Sequence, residues 1–527
     1  MCGIFAAIGT KKDKGFLKEQ FAKIKHRGPD HSEYVIVEDT IDLGFHRLAI
    51  NGQSAESNQP FFIEGIWLIA NAEVFNHQEL AKKYNFKMQS QSDCEVIIHM
   101  YKQFGIERTI KELVAEFAFL LYDTIEDEIL IARDHLGIRS LYIGVDQQGG
   151  IYIASEAKAI SFCQSFEQFP PRHYWKSSDQ SYTQYYELEF AKHSDQREKT
   201  HLDQIKRLFT KAVEGRMMSE RKIGCLLSGG LDSSLVSAIV ARASEDPSSI
   251  ETFSIGLEGS PDLIAAQKVA DHIGTKHHSV VFKEEQFLNA LRDTVYITGS
   301  FDVTTIRASV GHQLISNWIK DNSDVKVVFT GETIDEMGSY LYFQQAPSAA
   351  AFQEEAIRLL KDIHYFDMLR GDRSISSAGL EARVPFADKE FVEYYMGIEA
   401  EQRIFDGESR IEKYLLRKAF AKDDLLPSEV LWRRKNGFSD SVSQKKKSWS
   451  TIIIEYVDSI ISDEEYMIER ERFTHDTPKT KEAYFYRKVF ESYYGEFDAS
   501  TPYQWLPKWC GEVTDPSARV LEIYQAD

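Results

Sequence analysis

The sequence predicts a strand-rich α+β domain, followed by an α/β domain that has a parallel sheet and a helical C-terminal part. Three observations support this fold class. Short β-branched and aromatic runs, separated by turn signals, recur over roughly the first 190 residues. Strands and helices then alternate between residues 222 and 329, which is typical of parallel sheets with right-handed crossovers. Beyond about residue 350 the pattern is mostly helical, and 527 residues suffice for two to four domains of ~150 residues.

In the first part, β-branched and aromatic residues predict strands at 34–38, 66–70, 117–123, 128–133 and 151–155. Residues 93–104 predict a helix, because Val96, Ile97, Met100 and Tyr101 fall on one face. The polar stretch 191–200 predicts a linker.

In the second part, strands are predicted at 222–227, 251–256, 278–282 and 324–329, with a helix at 233–243. Ser260 and Pro261 predict the start of another helix and Gly274 its end, because these residues suit the N-cap, the first turn and the C-terminal stop. Ligands bind beyond the carboxyl ends of such parallel strands. The aromatic run 340–343 is expected to pack in the core.

Composition excludes several classes of protein. The net charge of −20 argues against a nucleic-acid binder, although not against a local basic pocket for phosphates. No apolar run reaches the ~20 residues of a membrane span, and the N-terminus does not resemble a signal peptide. The five cysteines are odd in number and widely spaced, which favours a reducing compartment. We therefore expect a cytoplasmic protein, and the sequence leaves a homodimer open.

Cys2 directly follows the initiator methionine. Removal of Met1 would give one residue both a thiol and a free α-amino group. The amine, with a pKa of ~7.7–8.0, could accept the thiol proton of pKa ~8.5. One residue would then supply the nucleophile and its base.

Polar residues elsewhere in this part could form an amino-acid pocket. Arg47 could clamp a carboxylate, while Glu73 and Asp93 could hold an ammonium group. Asn71 and the backbone N–H of Ala72 could face a developing oxyanion. Taken singly, each of these segments is better explained as a structural turn or cap, and only together do they indicate a pocket.

Five motifs together resemble the glutaminase domain of the N-terminal-nucleophile, or class II, glutamine amidotransferases: MCGIF at 1–5, HRGPD at 26–30, RLAI at 47–50, NAEVFNH at 71–77 and SDCE at 92–95. The resemblance implies the αββα sandwich of an Ntn hydrolase, with Cys2 attacking the amide of glutamine through a thioester. It implies an oxyanion hole at Asn71 and Ala72. The glutamine site that it implies comprises Arg47, Leu48, Ala49, Ile50, Asn51, Asn71, Ala72, Glu73 and Asp93. The family usually has glycine at the position of Ala72. The backbone N–H is kept but a methyl group enters the pocket, so the oxyanion hole is expected still to form, with lower efficiency.

A second motif, LLSGGLDSS at 226–234, follows a predicted strand and opens a helix. Two glycines and a helix N-terminus suit a phosphate group. The motif is not a Walker A loop, because no Gly-Lys-Ser/Thr follows. It resembles the pyrophosphate loop of ATP pyrophosphatases, which adenylate their substrates.

Further motifs at 253–257, 302–309, 330–336, 379–386 and 432–440 complete a resemblance to the glutamine-dependent asparagine synthetase family from residue 2 to about residue 490. It implies a glutaminase domain at 2–190 and a synthetase domain at 201–527. The substrates would be glutamine, aspartate and ATP, with Mg²⁺ as cofactor. Aspartate would form β-aspartyl-AMP, and ammonia from the first domain would displace AMP.

The resemblance also implies site residues by position. Glu332 would act on the intermediate or on ammonia, and Lys435 would neutralise pyrophosphate. Thr304, Thr305 and Arg307 would hold aspartate. Asp232 and Asp335 would bind Mg²⁺. The ATP site would comprise Leu226, Ser228, Gly229, Gly230, Leu231, Asp232, Ser233, Ser234, Ile255, Thr330 and Gly331.

The chain departs from the family pattern in the loop 330–339, which is one residue shorter than that pattern after Glu336. Thr333 replaces a glycine there, and a threonine disfavours positive φ. Asn436 and Ser441 replace an acid and a glycine. Two alternatives therefore stay open: the same architecture amidating a different carboxylate, and a non-catalytic regulatory relative.

Overall fold

The computed structural model describes residues 1–193, 196–435, 448–495 and 497–516. Its first part contains two six-stranded antiparallel sheets. The first sheet has the order β10-β8-β9-β1-β3-β2, and the second has the order β12-β11-β7-β6-β5-β4. The strands are β1 Gly3–Ile8, β2 His31–Val37, β3 Ile41–Arg47, β4 Phe61–Ile63, β5 Ile66–Val74, β6 Ala115–Asp123, β7 Glu128–Arg133, β8 Tyr142–Val145, β9 Ile151–Ala154, β10 Ser165–Gln168, β11 His173–Lys176 and β12 Ser181–Gln184.

The second part is built on a five-stranded parallel sheet of order β15-β14-β13-β16-β17. Its strands are β13 Ile223–Leu226, β14 Glu251–Gly256, β15 Lys276–Val281, β16 Val327–Phe329 and β17 Glu381–Arg383.

The α-helices of both parts, in chain order, are α1 Lys14–Ala22, α2 His77–Tyr84, α3 Val96–Glu112, α4 Glu198–Gly215, α5 Leu231–Ala243, α6 Pro261–Ile273, α7 Glu284–Thr298, α8 Val303–Asn322, α9 Ala349–Asp362, α10 Asp367–Ser376, α11 Lys389–Gly397, α12 Ala400–Arg403, α13 Tyr414–Phe420, α14 Ser428–Leu431, α15 Trp449–Ile460, α16 Asp463–Glu469 and α17 Lys481–Tyr494.

Side chains alternate between the two faces of each strand, and this alternation arranges the first part of the chain in layers. In β1, Ile4 and Ala6 face the second sheet, whereas Phe5 packs with Phe21 of α1. In β6, Leu120 faces the first sheet and Phe119 packs on the side of α3. Because strand side chains alternate with a period of two, each sheet covers the other on one face and a helix on the opposite face. This helix–sheet–sheet–helix order confirms the predicted αββα sandwich.

Several predicted element boundaries agree with the structure. Strands 128–133 and 251–256 occur with those bounds, and α6 begins at Pro261 with Gly274 as its left-handed C-cap. The predicted helix at 93–104 ends one residue before Gly105, where φ is 73° and α3 breaks.

Other boundaries were wrong. The strand predicted at 324–329 comprises only Val327–Phe329, and β15 begins at Lys276 rather than at 278. Helix α4 begins at Glu198, inside the predicted linker 191–200. Strand β17 lies in the region predicted to be mostly helical, because three residues that include two charges carry no periodic signal.

Buried charges join the two parts of the chain. Arg27 is fully buried, and its guanidinium pairs with Glu156 at 2.9 Å and with Asp372 of α10 at 2.8 Å. Glu116 of β6 similarly pairs with Arg216 at 2.9 Å. Among the described residues, no helix combines the length and the apolar composition that a membrane span requires.

Two candidate active sites

Cys2 lies immediately before β1, at one end of the first sheet. Its backbone N–H donates to Asn71 Oδ1 at 2.9 Å, and its Sγ lies 3.8 Å from the carbonyl oxygen of Leu48. Burial raises the pKa of the thiol. The sandwich therefore brings together the predicted nucleophile and the predicted oxyanion residue, which are 69 positions apart in sequence.

The α-amino group of Met1 is buried next to Cys2. It lies 3.4 Å from Glu381 Oε2, a carboxylate of β17 in the second part of the chain. Burial lowers the pKa of this amino group, although the charge of Glu381 opposes that effect. The surroundings of the nucleophile are thus built from both parts of the chain.

Asn71 lies within β5 and is 1% exposed. Its Nδ2 makes no hydrogen bond to any described residue, so it can donate to an oxyanion. Ala72, the next residue of β5, is also buried. Of the predicted oxyanion hole, Asn71 thus contacts Cys2 directly, while the role of the Ala72 N–H stays a prediction.

Arg47 donates to the 51–58 loop instead of standing open to a carboxylate. Its Nη1 donates to Ser54 O at 3.1 Å and to Asn58 Oδ1 at 2.6 Å, and its Nη2 donates to Asn51 O at 3.2 Å and also to Gly52 O. Its contact with glutamine stays a prediction.

Leu48 and Ile50 are buried, and the backbone N–H of Ala49 donates to Asp30 at 2.9 Å. The Asn51 side chain donates to Glu73 Oε2 at 3.0 Å. Residues 48–51, which are predicted to bind glutamine, are therefore held in place next to Glu73.

Glu73 and Asp93 are both buried carboxylates. Glu73 Oε2 pairs with Arg383 of β17 at 3.0 Å, and Asp93 Oδ2 accepts from the Val74 N–H at 2.7 Å. Burial raises the pKa of each group, although Arg383 opposes the shift at Glu73. Arg383 belongs to the GLEARVPF motif, but sequence reasoning assigned it no role in the first site.

The second candidate site is a cavity at the carboxyl ends of the parallel strands. The loop at 228–234 borders it and leads into α5. Ser228 N–H donates to Ser233 Oγ at 3.1 Å, and Gly230 N–H donates to Ser228 Oγ at 3.3 Å. Gly229 has a φ of 74°, and a Cβ there would lie 2.5 Å from Ala266 N, so only glycine fits.

The loop presents a helix N-terminus to the cavity, which is the arrangement that binds phosphate. Most of the predicted ATP residues line this cavity, namely Leu226, Ser228, Gly230, Asp232, Ser233, Ile255, Thr330 and Gly331. Gly229, Leu231 and Ser234 support the loop without lining the cavity.

Lys413 holds together the two acids that were predicted to bind Mg²⁺. Its Nζ lies 2.5 Å from Asp232 Oδ2 and 2.7 Å from Asp335 Oδ1. Lys435 also pairs with Asp335. Burial would raise the pKa of Asp335, but the two lysines lower it overall. Lys413 was missed because its role depends on contacts 181 positions apart in sequence.

Glu332 lies in the same cavity. Arg370 Nε donates to Glu332 Oε1 at 3.3 Å, and His312 Nδ1 lies 3.6 Å from that oxygen. Burial raises the pKa of Glu332 to about 6, and Arg370 opposes the shift. A carboxyl group of this pKa can exchange a proton near neutral pH.

The altered loop 330–339 keeps a glycine-like backbone. Thr333 adopts a φ of 92° and is 1% exposed. The substitution therefore does not remove the positive φ, contrary to the sequence-based expectation, and the strain costs about 1–3 kcal/mol. Tyr340 packs against the core as predicted, but it is only partly buried, since it also lines the cavity and donates to Glu336 at 2.6 Å. Tyr342 lines the cavity too but is otherwise buried, and Phe343 packs in the core as predicted.

The predicted aspartate residues begin α8. Thr304 and Arg307 line the cavity, and Thr305 is buried in the same helix. The Arg307 guanidinium donates hydrogen bonds to the carboxylates of Glu482 and Asp515. Neither of these partners was identified from the sequence. Asn436 and Ser441 lie outside the described residues.

The comparisons with known proteins match both parts of the chain. A glutamine amidotransferase domain model matches residues 1–213, and an asparagine synthase model matches residues 204–351 and 339–512. The glutamine-hydrolysing asparagine synthetase of Gallus gallus is 39% identical over 563 positions, covering 100% of this chain and 99% of that protein. The Homo sapiens enzyme is 39% identical over 562 positions with the same coverage. The chain belongs to the glutamine-hydrolysing asparagine synthetase family.

Family membership confirms the resemblance that the two motif sets predicted. It does not favour either alternative, an enzyme that amidates another carboxylate or a non-catalytic relative.

Among solved structures, glutamine phosphoribosylpyrophosphate amidotransferase from B. subtilis has a TM-score of 0.32 and 13% identity, covering 67% of this chain and 89% of that one.

We expect Glu332→Gln to abolish asparagine synthesis and to stabilise the substrate-free protein. Because burial raises the pKa from 4.5 to about 6, the native state binds the proton more tightly than the unfolded state. The charged carboxylate then costs about 2 kcal/mol above pH 6, and this cost disappears below pH 4.5. The variant's thermal midpoint should exceed that of the wild type at pH 8. The exposed Glu354→Gln serves as control, and an equal gain there would contradict the explanation.

We expect Arg383→Met to weaken both stability and glutamine binding. Its removal leaves Glu73 and Glu381 buried without their shared cation, and breaking a buried pair costs about 3–5 kcal/mol. Loss of the guanidinium would raise the pKa of Glu73 further and so disfavour the charged carboxylate that is predicted to hold the ammonium group of glutamine. The measurements are the thermal midpoint and the KM for glutamine, with Arg383→Lys as the charge-conserving control. A midpoint and a KM equal to those of the wild type would show that Arg383 does not support Glu73.

Proposed function

We propose that the chain hydrolyses glutamine at Cys2 and uses the ammonia to convert aspartate, through β-aspartyl-AMP, to asparagine. One observation carries this proposal: a nucleophile beside Asn71 and a phosphate loop beside Glu332 and Lys435 occur together in one chain. The conversion of ATP to AMP and pyrophosphate would drive amide formation.

In the first reaction, loss of Met1 would make the Cys2 nitrogen a free amine, already 2.9 Å from Asn71 Oδ1. The amine would accept the thiol proton, and the thiolate would attack the amide carbon of glutamine. Asn71 Nδ2 and the Ala72 N–H would donate to the oxyanion. The proton would then pass to the leaving ammonia, and water would release glutamate from the thioester.

In the second reaction, the β-carboxylate of aspartate would attack the α-phosphorus of ATP, and pyrophosphate would leave. The loop at 228–234 would hold the phosphates, and Lys435 would offset the charge that develops on the leaving group. Ammonia would then attack the acyl carbon and displace AMP. Glu332, with a pKa of about 6, would accept the proton that ammonia loses.

The two predicted metal ligands fit Mg²⁺. Asp232 Oδ1 is buried and makes no hydrogen bond to any described residue, and Asp335 is held close to Asp232 by their shared ion pair with Lys413 Nζ. No cluster of three or more metal-binding side chains occurs among the described residues, but Mg²⁺ usually needs only one or two carboxylates beside substrate phosphates. When bound together with ATP, Mg²⁺ would offset the negative charge of the phosphates.

Ammonia would pass from the first site to the second inside the protein. Helix α10 connects the two sites, since Asp372 binds Arg27 near Cys2 and Arg370 binds Glu332. The reaction itself is tested by incubation with aspartate, ATP, Mg²⁺ and glutamine, and a lack of asparagine above the Cys2→Ala background would refute the proposal. A cytoplasmic location and a homodimer stay predictions.

We expect Cys2→Ala to abolish glutamine-dependent synthesis and to preserve synthesis from free ammonia, because only the first reaction uses the thiol. Asparagine is measured with each nitrogen source in turn. Cys510→Ala, which removes another partly exposed thiol, should retain both activities. If the Cys2 variant also loses ammonia-dependent synthesis, the two reactions do not have separate sites.

We expect Lys435→Ala to lower aspartate-dependent ATP–pyrophosphate exchange about 10²–10³-fold, since one preorganised charge facing the leaving group is lost. Glutamine hydrolysis should change little. Arg434→Ala is the matched control, because the neighbouring guanidinium binds the Gly407 carbonyl and does not line the cavity. Equal losses in the two reactions would place Lys435 outside the adenylation site.

A further inference from the structure

Arg307 binds two carboxylates at once. Glu482 of α17 accepts from its Nε at 2.9 Å and from its Nη2 at 2.5 Å. Asp515 accepts from its Nη1 at 2.9 Å and from its Nη2 at 2.7 Å. Four of the five N–H groups of the guanidinium are thereby used.

The two carboxylates differ in how firmly they are held. The Glu482 side chain is 2% exposed, lies within a helix and also accepts from Tyr486 at 2.9 Å. The Asp515 side chain is 23% exposed and belongs to a stretch without helix or strand. Of the two partners of Arg307, Glu482 is therefore the more deeply buried and Asp515 the more accessible to solvent.

Asp515 belongs to a segment that borders the cavity, here called the closing segment (residues 501–516). Trp505, Pro507 and Pro516 line the cavity together with Arg307. The Trp505 N–H donates to Asp302 Oδ1 at 2.7 Å, which fixes the start of the segment at α8. The segment is thus attached at residue 505 and reaches Arg307 ten residues later along the chain.

The charge balance at Arg307 requires an exchange. One guanidinium with two carboxylates carries a net charge of −1, so a third carboxylate would be repelled. Aspartate as a substrate brings the same functional group that Asp515 carries. Replacing Asp515 by the substrate's carboxylate leaves the charge and the bidentate geometry unchanged.

We propose that Asp515 occupies the carboxylate anchor of the substrate-free enzyme and is displaced when aspartate binds. It thereby acts as a built-in competitor that sets the concentration of aspartate at which the enzyme works. This inference rests on the proposed function, because it takes Arg307 as the anchor for aspartate. Only molecules with an open closing segment can bind aspartate. The apparent affinity for aspartate is therefore the intrinsic affinity multiplied by the fraction of molecules that are open.

The test is the KM for aspartate of Asp515→Asn and Asp515→Ala, with ammonia as the nitrogen source and ATP saturating. If nine in ten free molecules are closed, the KM should fall about tenfold, and the KM for ATP should not change. Glu512→Gln removes the same charge from an exposed position of the same segment and should behave as the wild type. An unchanged or raised KM for aspartate in both Asp515 variants would overturn the proposal, and a raised value would make Asp515 a group that binds the substrate.

A measurement on the unmodified chain avoids any effect of substitution on folding. Saturating aspartate should speed amide hydrogen exchange at residues 508–516, because the segment is released, and slower exchange would overturn the proposal. Failure of the proposed function is recognised separately, since the wild-type chain would then form no asparagine at all.

Discussion

The position of the first site relative to the second depends on the hydrogen bonds and ion pairs of the buried Arg27 guanidinium. Its Nε donates to the carbonyl oxygen of Cys2 at 2.9 Å, and its Nη atoms donate to Asp372 at 2.8 and 2.9 Å. Asp372 lies on α10, two residues after Arg370, which binds Glu332. The backbone of Cys2, the predicted nucleophile, is therefore linked to the carboxylate of Glu332 through Arg27 and helix α10.

Ion pairs are a costly way to join two domains. Each buried charge loses its hydration, and an apolar interface of the same size could be equally stable. The gain is geometric: a bidentate pair between Arg27 and Asp372 permits only one relative placement, whereas apolar surfaces can slide. A second buried pair, Arg383 of β17 with Glu73 of β5, also joins the two parts of the chain at the first site. Such fixed placement suits a pair of sites that share a reactive intermediate.

The family, the fold class and several boundaries could be predicted from local signals. A proline suits the first turn of a helix and a glycine suits its C-cap, so both bounds of α6 were located correctly from Pro261 and Gly274. The helix predicted at 93–104 likewise ended correctly, just before the break at Gly105. Lys413, Arg370 and Glu482 could not be predicted, because each acts through a contact with a distant part of the chain. Strand β17 was missed for a related reason, since its two charges are acceptable in a strand only because each finds a buried partner.

An acidic chain that binds anionic substrates needs local cations, and those of the second site are already paired. Lys413 and Lys435 bind Asp335, Arg370 binds Glu332, and Arg307 binds Glu482 and Asp515. Binding of phosphates or carboxylates is then an exchange of one anion for another, rather than neutralisation of exposed positive charge. Such an exchange avoids leaving these cations without partners in the empty enzyme, which would cost several kcal/mol each for the two that are fully buried, Lys413 and Arg307. It also makes the affinity for each substrate depend on how firmly the resident carboxylate is held, and this differs between a buried helix residue such as Glu482 and the partly exposed Asp515.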